Sequence, residues 1–89
     1  MQSNFLLGTL KLTEPARLLL QRQPYDLIAR HAINDHGIIS EKERKMNETG
    51  MKTIGTIMSR YRADPTNPRS KHVLIITSSS WAETLVTVE

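Results

Sequence analysis

The chain has 89 residues, 38% of them apolar and 24% charged, with a formal net charge of +3 and no cysteine. That size supports one small core, that balance excludes wholesale disorder, and the missing thiols exclude disulfides and thiolate-held metals. No run reaches the roughly 20 apolar residues that cross a bilayer, and no positive flank precedes Phe5, so neither a membrane span nor a signal peptide is expected and the expected compartment is the cytoplasm.

Asn4 to Leu12 reads as an extended edge segment, with Leu6, Leu10 and Leu12 on one strand face. Thr13 is a helix cap and Pro15 suits a first turn, so a short helix is expected up to Arg22. Pro24 punctuates the chain. From Tyr25 the apolar stripe Leu27, Ile28, His31 and Ala32 predicts a helix to His36, closed by Gly37. Ser40 and Glu43 have the spacing of a capping box and start a polar helix, with Met46 as its main core candidate and Gly50 as its end. In Met51–Arg62, the residues Ile54, Ile57, Met58 and Tyr61 recur at i, i+3, i+4 and i+7, which predicts a further helix. Residues 62–71 hold two prolines and form a connector. Val73–Thr77 and Glu83–Val88 read as strands around a Ser78–Ala82 turn.

Charge is concentrated in the middle of the chain. Residues 1–43 carry five basic and five acidic side chains, whereas residues 44–72 carry seven basic and two acidic ones. Clustered Lys and Arg are rewarded on a phosphate backbone by counterion release.

The order of helix, Gly37 to Ser40, helix, turn, helix and hairpin resembles winged helix-turn-helix DNA-binding domains. The matching segments are Tyr25–His36, Ser40–Thr49, Met51–Arg62 and the wing Val73–Val88, and "GIISEKERKMNETG" carries much of the likeness. The resemblance implies a small α+β domain of three or four short helices followed by a C-terminal β-hairpin, spanning residues 23–89. Residues 1–22 are then an N-terminal strand and short helix, a candidate dimerisation segment. The turn in the wing, Ser78-Ser79-Ser80-Trp81, lacks the Arg or Lys that would touch DNA.

On this reading the chain is a sequence-specific double-stranded DNA-binding protein, a homodimeric transcriptional regulator or repressor. Helix 51–62 enters the major groove. Lys52, Thr53, Thr56 and Arg60 are the expected base contacts. Ser40, Arg44, Lys45, Thr49, Arg62, Arg69 and Lys71 are the expected phosphate contacts. The alternative is a non-catalytic protein-interaction or inhibitor module that uses the hairpin or the N-terminal segment, with Leu7, Leu18 and Trp81 at the interface.

Enzyme chemistry is not expected. His31 and His36 are five apart and share no helix face, and the serines at 78–80 have no base or oxyanion hole assigned to them. No metal and no cofactor are expected, and His31 is read as a satisfied structural histidine.

Overall fold

The structure is a computed structural model that describes residues 4–89; the first three residues of the predicted 1–22 segment lie outside it. In chain order the elements are β1 (Thr9–Leu12), α1 (Glu14–Leu20), α2 (Tyr25–Ala32), α3 (Glu41–Thr53), β2 (Ile57–Arg62), β3 (His72–Thr77), a 3-10 turn (Ser79–Trp81) and β4 (Glu83–Val88). The fold is α+β, with three helices and one four-stranded mixed sheet ordered β1-β4-β3-β2. β1 runs parallel to β4 and the other two pairs are antiparallel. No helix among the described residues is long and apolar enough to cross a membrane.

Period-two alternation builds the core. Ile57 and Tyr61 of β2, Val73 and Ile75 of β3 and Val86 of β4 are buried. Ala16, Leu27 and Ile28, from α1 and α2, close over this face. The predicted hairpin is present, but it forms the two central strands and not a projecting wing. β1 and α1, both from the first 22 residues, join this same sheet and core.

The expected helix over 51–62 is not formed. α3 runs on through Gly50 to Thr53, Ile54 caps it in the left-handed region at φ 55°, and the chain then extends as β2. Ile57, Met58 and Tyr61 fit a helical period as well as part of a strand period. The tie is broken by β3, whose six residues pair in full with Ile57–Arg62. Ile54, counted on the apolar helix face, is 53% exposed. Gly50 is no stop signal either. It is buried within the helix, where a Cβ would lie 2.4 Å from the Thr56 carbonyl oxygen, so glycine lets helix and strand touch.

Two further expectations change. α2 ends at Ala32 instead of His36, because Asn34 turns left-handed (φ 63°) and His36 to Ile38 are drawn alongside β2. Met46 is exposed, and the residues that α3 buries are Asn47 and Gly50.

A chain of hydrogen bonds crosses the core between α2 and the sheet. His31 is fully buried, with Nδ1 2.6 Å from Ser59 Oγ and Nε2 2.9 Å from Thr77 Oγ1. Thr77 reaches Thr84 at 2.7 Å, Thr84 reaches the Leu7 carbonyl at 2.6 Å, and His36 Nδ1 reaches Ser59 at 2.8 Å. The Leu7 oxygen can only accept, so Thr84 donates to it. Each hydroxyl has one proton, so Thr77 donates to Thr84 and His31 Nε2–H donates to Thr77. Burial, and secondarily the charge of His36, push the His31 pKa down to about 3, so its ring is neutral and Nδ1 accepts from Ser59. Ser59 has then spent its proton, and His36 Nδ1–H donates to it. The direction of every bond follows from one backbone carbonyl and the neutrality of the His31 ring. No buried side-chain nitrogen or oxygen among the described residues lacks a partner.

Candidate nucleic-acid interface

α3 begins where the sequence predicts. The Ser40 hydroxyl accepts from the Glu43 N–H at 3.1 Å, and the Glu43 carboxylate accepts from the Ser40 N–H at 2.8 Å. The helix then runs beside the outer edge of β2 in the opposite direction. Glu43 reaches Arg60, Asn47 reaches Met58, and Gly50 abuts Thr56 and Ile57. Asn47 stands in for a neighbouring strand. Its Nδ2 donates to the Met58 carbonyl at 2.8 Å and its Oδ1 accepts from the Met58 N–H at 2.9 Å. Next along the edge, the Arg60 N–H donates to the His36 carbonyl at 3.0 Å and the Ile38 N–H donates to the Arg60 carbonyl at 2.7 Å. The β2 edge is thereby closed to further strands at these positions.

The flank of α3 beside its β2-facing side carries Lys42, Lys45, Thr49 and Thr53 at i, i+3, i+7 and i+11. With Glu41, Met46, Gly50 and Thr56 they line an open cleft. Lys52 is exposed in the last turn of the same helix. At the other end of β2, Arg62 is exposed, and Arg69 and Lys71 follow on the loop to β3.

Ion pairing separates the charges. Eight of the nine carboxylates have a basic partner: Glu14 with Arg17, Asp26 with Arg22, Asp35 with Arg30, Glu41 and Glu48 with Arg44, Glu43 with Arg60, Glu83 with Lys11, and Glu89 with Arg60 and His72. Asp64 instead accepts from Thr66. Six cations have no carboxylate within ion-pair distance among the described residues. They are Lys42, Lys45, Lys52, Arg62, Arg69 and Lys71, all between residues 42 and 71. Glu43 stays ionised, because two hydrogen bonds from Arg60 and one from the Ser40 amide hold its pKa down to about 2. The surplus of positive charge is therefore carried by α3 and the β2–β3 end of the molecule.

The expected contact residues divide accordingly. Lys45, Thr49, Thr53 and Thr56 come together at the cleft, and Lys52, Arg62, Arg69 and Lys71 are exposed. Arg60 is a correction. Its side chain is only 17% exposed, grips Glu43 through two 2.9 Å bonds, and also meets Glu89 and the Ile38 carbonyl. Arg44 is held by Glu41 and Glu48, and the Ser40 hydroxyl is occupied as a cap. Thr53 donates to the Thr49 carbonyl at 2.8 Å.

Of the expected interface residues, Leu18 is exposed, Leu7 packs partly against the core, and Trp81 is half-buried. Trp81 Nε1 donates to the Gly55 carbonyl at 2.9 Å and its ring lies 5.6 Å from Phe5. Sequence reasoning passed over Lys42, which precedes Lys45 by one helical turn, and Asn47, whose role depends on a strand eleven residues away. Comparison with protein families, with curated proteins and with solved structures finds no match for this chain.

Proposed function

We propose that this chain is a non-enzymatic protein that binds double-stranded DNA by its phosphates, along α3 and the β2–β3 end. The observation that carries this reading is the segregation of charge. Eight of the nine carboxylates are consumed in ion pairs, while the six cations unpaired among the described residues all fall within residues 42–71. Such a surface gains counterion entropy from a polyanion. The reading is narrower than that of a sequence-specific regulator with a winged helix-turn-helix. The base-reading helix of that arrangement would occupy 51–62, where β2 lies, and Arg60 would have to leave two carboxylates to reach a base. Backbone contacts need no inserted helix.

The test is a titration of a labelled duplex at several salt concentrations. Each phosphate neutralised contributes about 0.9 to the slope of log K against log salt, so Lys42→Gln combined with Lys45→Gln should flatten it by nearly two units. Absence of binding at low salt, or an unchanged slope in the double variant, would overturn the reading. The interaction-module alternative draws on a different observation, the exposed leucines beside β1.

A further inference from the structure

The two edges of the sheet are treated differently. The β2 edge is closed by Asn47 and by residues 36–38, whereas among the described residues β1 has a partner only on its β4 side. Thr9 N–H donates to the Ala82 carbonyl and Thr13 N–H to the Val86 carbonyl. In a strand, alternate residues turn their N–H and C=O to the same side, so Thr9, Lys11 and Thr13 face β4 and Leu10 and Leu12 face outward. Leu10 and Leu12 thus offer two donors and two acceptors with no backbone partner among the described residues.

We infer that this edge pairs with the β1 of a second copy of the chain, antiparallel across a two-fold axis at Lys11, to give one continuous eight-stranded sheet. The pattern is self-complementary. Leu10 of one protomer meets Leu12 of its partner, and Leu12 meets Leu10, each pair exchanging both backbone bonds. Side chains also suit the pairing. Leu10 is 47% exposed, and Leu12 lines the same surface hollow as Leu18, which is 58% exposed. Leu6, just before the strand, is 72% exposed. These leucines form an apolar margin that a second copy would cover. The two Lys11 side chains would stand opposite one another, and each is already neutralised by its own Glu83 at 2.9 Å. The inference does not depend on DNA binding.

Sedimentation of the full chain over a wide concentration range, with cysteine cross-linking, tests it. At the axis, Lys11 forms a non-hydrogen-bonded pair with Cα atoms about 4.5 Å apart, inside disulfide reach. The chain has no other cysteine. Lys11→Cys should therefore oxidise to a covalent dimer, while Thr9→Cys, whose copies would lie roughly 13 Å apart along the strands, should not. Leu10→Pro removes an outward N–H without touching the β4 ladder, and should abolish the native dimer while leaving circular dichroism unchanged. A native chain that stays monomeric at every concentration would overturn the inference. So would cross-linking of Thr9→Cys as readily as Lys11→Cys.

Discussion

Removing the buried imidazole tests the polar chain through the core. His31 titrates near 6.5 when unfolded and at about 3 when folded, because burial disfavours its charged form. Between these values the unfolded state binds a proton that the folded state refuses, so stability falls as pH falls through that window. Linkage over this shift gives a loss of about 2 kcal/mol on going from about pH 7 to about pH 5. His36 is shifted in the same direction by burial and adds to the loss. The paired carboxylates begin to contribute only below their unfolded pKa values, so the assay stays above about pH 5. Urea unfolding of the native chain and of His31→Gln should be followed by circular dichroism at each pH. The variant should be less stable near neutrality, by about 1–3 kcal/mol, because Ser59 and Thr77 lose ideal partners. Its stability should nevertheless change far less with pH, keeping only the share due to His36. An equal acid loss in both proteins would mean that His31 is not the group that titrates.

Three other outcomes follow from the geometry. Long-range nitrogen–proton NMR should find His31 as the Nε2–H tautomer and His36 as Nδ1–H, and acidification should protonate His36 at Nε2 without changing the His31 tautomer. Gly50→Ala would raise helix propensity by about 1 kcal/mol, yet should destabilise the protein overall by about 1–3 kcal/mol because the added carbon meets the Thr56 carbonyl, as thermal unfolding would show. Arg60→Met should cost about 2 kcal/mol by taking the guanidinium from Glu43, while Glu89 keeps its His72 contact and the salt slope of DNA binding stays unchanged.

The elements visible in the sequence are those fixed locally. The capping box at Ser40 and Glu43 lies within one turn, and the hairpin follows from β-branched alternation around a serine turn. The failure at 51–62 has a non-local cause, since β3 decides the conformation of residues that fit two periods. Gly50 illustrates the same difficulty, because a glycine that ends a helix and one that admits a strand look alike in a sequence. At the candidate site, exposed Lys45, Lys52, Arg62, Arg69 and Lys71 were readable from charge alone. The loss of Arg60 was not, because its partners lie 17 and 29 residues away. Arg44, by contrast, has its carboxylates three and four residues off on one helix, a spacing that itself signals neutralisation.

Where DNA lies on the surface tests phosphate binding along α3 and the β2–β3 end. A short duplex titrated at low salt into isotopically labelled protein, followed by amide NMR shifts, reports each residue separately. Progressive, salt-reversible shifts are expected along α3 around Lys42, Lys45 and Thr49, at Arg62 and through the 63–71 loop, with the β1 edge unchanged. Shifts centred on β1 with α3 silent, or no shifts at any residue, would contradict phosphate binding there.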